Sequence, residues 1–244
     1  EFFDHLPKDF GASFVVVQHL SPDFKSLMSE LLGRHTHMTV KQAEDGQTLE
    51  PNSVYLIPPK KNLTLNGMHL KLADQDLSAG HRLNFPIDMF FESLADQLGD
   101  KSIGIILSGT GSDGTRGLRA INEAGGLALV QDPQSSEFDG MPRSAISAGL
   151  AHYILPPGQL AQTITDFLSD PQHFRNDMMQ AEVLEDGEPL EKILSMIRIE
   201  DGIDFSHYKP ATLARRTSRR MLIAGYRNFD EYLEHIEESR QERQ

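Results

Sequence analysis

The stretch IGIILSGTGSDGTRGLRAI, residues 103–121, decides the fold. Residues 103–107 form a short apolar run, the length of one buried strand. Residues 108–114 are glycines and small polar residues, which end a strand and open a turn. From Thr115 the apolar residues fall at helical spacing as far as Glu123, and Gly125-Gly126 closes that helix. Residues 127–130 (LALV) read as the next strand. Strand, glycine loop, helix and strand make a βαβ unit, which implies a parallel pair.

Working outward, residues 13–18 (SFVVVQ) and 54–57 read as two more buried strands, the second stopped by Pro58-Pro59. Between them, Ser21 reads as the N-cap and Pro22 as the first position of a helix. That helix covers residues 23–32 and ends at Gly33. Residues 1–6 place Phe2, Phe3 and Leu6 on one side and stop at Pro7, like the last turns of a helix. Residues 63–72 alternate around Asn66-Gly67, a strong hairpin signal. Residues 87–98 have helical spacing. Downstream come a short helix at 143–148, a strand at 152–155 and a helix at 159–168.

Strands alternating with helices predict an α/β domain with a doubly wound, mostly parallel sheet over residues 1–168. Residues 169–189 are polar, acidic and Met-containing, and read as a linker. Residues 190–244 lack any strand signal and predict a small all-α module. Its helices lie around Ile193, Met196 and Ile197, over 213–224 before Gly225, and over 229–236.

Composition narrows the function classes. The 244 residues carry 23 Lys plus Arg against 36 Asp plus Glu, a net charge of −13. This argues against a uniformly basic nucleic-acid-binding protein. Cysteine is absent, which excludes disulfides, thiolate metal sites and a Cys nucleophile. No apolar run approaches the ~18–20 residues of a membrane span. A cytoplasmic location is the expectation. The sequence opens at Glu1 rather than Met and closes on a charged run, so both ends are expected to be cuts through a longer protein.

In a parallel sheet the turns after the strands meet at one edge, where ligands bind. Three turns here carry functional residue types: Gln18-His19, residues 108–114, and Gln131-Asp132-Pro133. His19 and Asp113, distant in sequence, are thereby expected at one edge. A His and an Asp in one cleft suggest a base oriented by a carboxylate. The competing reading makes His19 an ordinary strand-end residue and Asp113 the N-cap of the following helix.

Residues 109–114 also match G-x-G-x-x-G between a strand and a helix, and Asp132 ends the next strand, as in dinucleotide-binding domains. Against this, the pattern lies late in the domain, and Asp113 would set a carboxylate beside a pyrophosphate. No serine is a convincing nucleophile: Ser13 precedes a strand, Ser21 is a cap, and Ser112 lacks G-x-S-x-G spacing. His35 and His37 have no third ligand nearby and read as a solvated loop.

Together these residues resemble a known family. The motifs VVVQHLSPDF (15–24), SVYLIPP (53–59), HRLNFPIDMFFESLA (81–95), IGIILSGTGSDGTRGLRAI (103–121) and FDGMPRSAI (138–146) are similar to the catalytic domain of the CheB-type chemotaxis protein-glutamate methylesterases. The resemblance implies a serine hydrolase that removes methyl esters from glutamates on chemoreceptor cytoplasmic helices and releases methanol. It implies His19 and Asp113 as the catalytic His and Asp, and Thr110 as the position whose backbone N–H helps bind the oxyanion. Met141 and Arg143 lie in a family motif and are taken as substrate-binding. The family's nucleophilic Ser lies in a G-x-S-x-G-G turn after a first strand, which would precede Glu1. The chain as given is therefore expected to be nearly inactive. The rival expectations are a non-catalytic scaffold or partner-binding domain, and a nucleotide-binding domain using residues 109–114.

Residues 202–236 (GIDFSHYKPATLARRTSRRMLIAGYRNFDEYLEHI) resemble the N-terminal helical domain of the CheR-type receptor methyltransferases. This implies a fusion of methylesterase and methyltransferase in chemosensory signal transduction. The esterase needs no metal or organic cofactor, and S-adenosylmethionine belongs to a methyltransferase domain outside this sequence. Arg215, Arg216, Arg219 and Arg220 share one helix face. That face is expected either to steer acidic receptor segments or to be a solvated surface paired with the acids of 230–238.

Overall fold

A computed structural model of the chain describes residues 1–18, 27–75, 84–172, 188–201, 217, 221, 226 and 229–238. The chain divides into two compact units, Glu1–Thr165 and Asp166–Gln244.

The first unit is α/β. Strands β1 (Ser13–Val16), β2 (Thr39–Gln42) and β3 (Ser53–Leu56) form a parallel ladder in the order β1-β3-β2. β4 (Lys61–Asn66) and β5 (His69–Asp74) form an antiparallel hairpin. β6 (Ile103–Ile106), β7 (Leu127–Gln131) and β8 (Tyr153–Leu155) form a second parallel ladder in the order β6-β7-β8. Helices α1 (Met28–Gly33), α2 (Pro86–Leu98), α3 (Thr115–Glu123), α4 (Gly140–Ser147) and α5 (Pro157–Ser169) follow β1, β5, β6, β7 and β8, while β2 to β5 run on without a helix between them.

The central strands β3 and β7 are buried along their whole length. Continuous apolar sequence is what a strand covered on both faces requires. The two ladders share one core: Tyr55 and Ile57 belong to the same cluster as Ile106, Ala128 and Val130. α3 matches its expected range, and α2 and β6 differ from theirs by one residue.

Several expectations shift. β1 is half-buried rather than buried. Residues 1–6 hold one 3-10 turn, Phe3–His5, with Phe2 and Leu6 buried on either side of it. Phe14 makes edge-to-face contacts with Phe2 and Phe3 and stacks on Phe10. α1 begins at Met28, after a non-helical Leu27. The expected cap at Ser21 and the start of that helix lie outside the described residues. β2 was not expected. Val40 is its one apolar residue, so it shows no alternation, and it forms by pairing with β3.

The hairpin turn sits one residue later than expected. Asn66 pairs with His69, leaving Gly67-Met68 as the loop. Gly67 takes a φ of +59° and Met68 does not, which fits the II′ type with glycine first. Side chains of α2 hold this hairpin: Ser93 Oγ accepts from Leu65 N–H at 2.9 Å, and Gln97 Oε1 from Gly67 N–H at 2.7 Å.

Gly126 joins α3 to β7 where space is tightest. A Cβ there would lie 2.5 Å from the Ser102 carbonyl oxygen and 2.9 Å from Ile121 Cγ2. Gly126→Ala is expected to destabilise the unit by about 1–3 kcal/mol, the usual range for overpacking. Urea unfolding should show a lower midpoint at unchanged slope. An unchanged midpoint would contradict the packing described.

In the second unit, α6 (Glu188–Asp201) and α7 (Phe229–Glu238) pack through Leu190 and Ile193 against Phe229, Tyr232 and Ile236, with Met221 beside them. Of the helix expected over 213–224, Thr217 and Met221 are described, and both are helical. Among the described residues no helix is long and apolar enough to cross a membrane.

Candidate active site

The loop of residues 107–114 leaves β6 and enters α3. It is fixed from below and from the side. At the end of β7, buried Gln131 accepts a hydrogen bond from Ser108 N–H at 2.9 Å. Its Nε2 donates to the Ser135 carbonyl at 3.0 Å. Alongside, Gly109 N–H donates to the Phe138 carbonyl at 2.8 Å, and Met141 N–H to the Gly109 carbonyl at 2.9 Å. Ser108 Oγ donates to the Phe138 carbonyl and accepts from Phe138 N–H. Gly140 approaches the loop so closely that a Cβ would lie 2.9 Å from Gly111 N. The loop is thus stitched to residues 138–141 while Thr110 stays exposed at its crest. Among the described residues, nothing accepts a hydrogen bond from Thr110 N–H.

Asp113 ends the loop and is 4% exposed. Its Oδ1 accepts from Asp88 N–H at 3.0 Å and Gly114 N–H at 2.8 Å, and its Oδ2 from Ile87 N–H at 3.1 Å. Ile87 and Asp88 lie in the first turn of α2, where N–H groups have no partner within the helix. Asp113 therefore caps α2 from outside, whereas the competing reading of the sequence had it capping α3. The α3 N-cap position is Gly114, at φ +89°. A Cβ there would lie 2.5 Å from Ile106 Cδ1 and 2.8 Å from Ile87 Cγ2.

Asp88, 5% exposed, accepts from Gly117 N–H at 2.7 Å. Burial pushes its carboxyl above the usual Asp range, and the Asp113 charge adds to that. The Gly117 N–H and the Arg116 guanidinium, 3.8 Å away, oppose it. An acid raised in the fold stabilises the protein below its unfolded value of 3.8 and loses that contribution as pH rises. A permanently neutral side chain avoids the loss. Asp88→Asn is expected to melt higher than the wild type at pH 7, with the difference closing as pH falls below 4. Thermal melts across that range check it, and a difference that widens toward acid would contradict the sign.

These contacts also disfavour a pyrophosphate in the loop. At the start of α3, Gly114 and Gly117 N–H donate to Asp113 and Asp88. A Cβ on Gly109 would run into the Met141 sulfur. Gly109 and Gly114 thus serve packing, and the Gly114 and Gly117 N–H groups, donors a phosphate would need, are already engaged by carboxylates.

Of the other expected site residues, Met141 is buried against the loop, where it supports Gly109. Arg143 is exposed and paired at 2.5 Å with Asp139, the residue just before α4. α4 begins at Gly140, three residues before its expected start, with Pro142 in its first turn. His19 lies outside the described residues; the chain is described to Gln18, and Val17 packs on the core that contains Ile87 and Ile106. Arg215, Arg216, Arg219 and Arg220 also lie outside them. Sequence reasoning missed Gln131 as a support of the loop and Asp88 altogether. A Pro-Ile-Asp opening to a helix was the one available signal, and it reads as a first-turn acid.

Comparison with known proteins identifies the family. The CheB methylesterase family matches residues 1–164. The chain belongs to the CheB methylesterase family. Residues 188–244 match the all-alpha domain of the CheR methyltransferases. The catalytic domain of Thermotoga maritima CheB methylesterase has a similar fold, with a TM-score of 0.60 at 30% identity. That likeness covers 68% of this chain and 88% of the Thermotoga chain. A putative protein-glutamate methylesterase/protein-glutamine glutaminase of Leptospira interrogans is 38% identical over 160 residues, covering 64% of this chain and 81% of that protein. An uncharacterized 104.1 kDa protein of Rhodobacter capsulatus is 37% identical over 235 residues, covering 88% of this chain. This chain spans 24% of the Rhodobacter protein's length.

Proposed function

We propose that this protein hydrolyses glutamate methyl esters on the cytoplasmic helices of chemoreceptors. It does so as the esterase half of a cytoplasmic methylesterase/methyltransferase fusion for chemosensory adaptation. The observation that carries this reading is Asp113, a buried carboxylate held by three backbone N–H groups at a strand-loop-helix turn. A carboxylate so fixed suits the orientation of an imidazole.

In this reading a serine upstream of Glu1 attacks the ester carbonyl, and His19 takes its proton. The exposed Thr110 N–H stabilises the oxyanion. Collapse of the tetrahedral intermediate expels methoxide, which leaves as methanol with the proton from His19. Water, giving a proton to His19, then attacks the acyl-enzyme and releases free glutamate and serine. Asp113 orients His19 throughout. No metal or organic cofactor enters this chemistry.

Phe138, 52% exposed beside the loop, offers an apolar contact for a receptor helix. Arg143 offers charge for its acids. Separately, Arg215, Arg216, Arg219 and Arg220 of the second unit would attract acidic receptor segments. The Leptospira relative's name also carries a glutaminase, and the same acyl transfer hydrolyses a glutamine amide with ammonia as the leaving group.

The test is methanol release from methylated receptor by the full-length protein, beside His19→Ala. Wild-type release that His19→Ala abolishes supports the reading. No release where a known methylesterase works leaves the domain a scaffold.

A further inference from the structure

The buried carboxylates among the described residues, Asp88 and Asp113, are arranged reciprocally. Asp113, just before α3, accepts from the first-turn amides of α2. Asp88, in the first turn of α2, accepts from Gly117, a first-turn amide of α3. Each helix start is capped by the other's aspartate. These three bonds require the two helix starts to keep one separation and one level, because an unmet first-turn N–H is costly when buried.

The separation is set by contact close to the backbone. A Cβ on Gly117 would lie 2.5 Å from Phe91 Cβ and 2.9 Å from the Asp88 Cα and carbonyl oxygen. Arg116, beside Gly117, reaches Glu92 of α2 at 2.6 Å and faces Asp88 at 3.8 Å.

We propose that Asp88 is a positioning residue of the esterase site, holding Gly117 and with it the start of α3 so that the Asp113 carboxylate keeps its direction. This rests on the reading of Asp113 as the catalytic carboxylate. Asp88 acts through the α3 backbone and needs no contact with substrate.

The test uses the full-length protein with Asp88→Ala and Asp88→Asn. Loss of the cap misaims Asp113, and a shift of about 1 Å costs roughly 100-fold in rate. Asp88→Ala is expected to lower kcat by about 10- to 100-fold with KM within about twofold, because orientation acts on the transition state. Asn keeps an oxygen for Gly117 and is expected to restore kcat to within about threefold of wild type. Amide exchange at Gly117 should accelerate in Asp88→Ala and stay slow in Asp88→Asn. Should Asp88→Ala not fold, Asp88→Ser carries the same test, its Oγ being too short to hold Gly117.

An active wild type whose Asp88→Ala variant keeps kcat per folded molecule overturns the proposal and leaves Asp88 a structural cap. An Asn variant as impaired as Ala also overturns it, because the charge rather than the cap would then matter. A wild type that releases no methanol overturns the esterase reading itself and this proposal with it.

Discussion

Asp113→Ala in the full-length protein is expected to lower kcat for methyl-ester hydrolysis by roughly 10³- to 10⁴-fold, the scale seen when a triad carboxylate is disabled. The same change should lower stability, since the N–H groups of Ile87, Asp88 and Gly114 lose their shared acceptor. A buried N–H left without a partner costs about 1–3 kcal/mol. Asp113→Asn keeps one oxygen, but its NH2 must then face a backbone donor. It is therefore expected to lose stability as well as rate. Initial rates at saturating substrate, normalised to folded protein by urea titration, separate the two effects. A variant that loses stability and keeps kcat would make Asp113 a cap of α2 only.

That both readings of Asp113 stayed open from sequence has a physical reason. A side chain after a glycine loop is assigned to the helix that follows it, because local spacing shows nothing else. The acceptor role toward α2 depends on how α2 lies along α3, which is a tertiary fact. Asp88 was unreadable for the same reason, as its partner Gly117 lies on another helix. Gln131 reads as the first residue of the turn after an expected strand, yet its hold on Ser108 follows from the pairing of β6 with β7.

Elements with strong local signals were legible. β7 is a run of apolar residues between glycines and a proline, and α3 is bounded by glycines on both sides. β2 was hidden because its partner supplies its burial, with Val40 opposite Val54. α4 begins before its legible start because Gly-Met-Pro reads as a breaker, although proline is tolerated in a first helical turn. The hairpin is legible but the position of its turn is not, because the register that pairs Leu65 with Leu70 puts Gly67 at the first loop position.

Adding the expected upstream strand and its glycine-rich serine turn to residues 1–244 should raise methanol release by roughly 10⁴- to 10⁶-fold, since losing a catalytic serine costs about that much. The serines of the loop are poor substitutes: Ser108 Oγ is engaged with the Phe138 backbone. The ladders also leave edges that an added strand could join. Among the described strands β1 pairs with β3 alone and β6 with β7 alone. Neither β1 nor β6 carries a charged residue, although exposed edges are normally blunted by charge or proline. An added parallel strand would satisfy one such edge, so the extended chain should also unfold at higher urea. Methanol assays and urea titrations of the two chains, side by side, decide the matter. Equal activity in both would place the nucleophile within residues 1–244, with Ser108 and Ser112 the first to replace. Silence in both, where a known methylesterase works, would leave the fold in place and remove the esterase assignment.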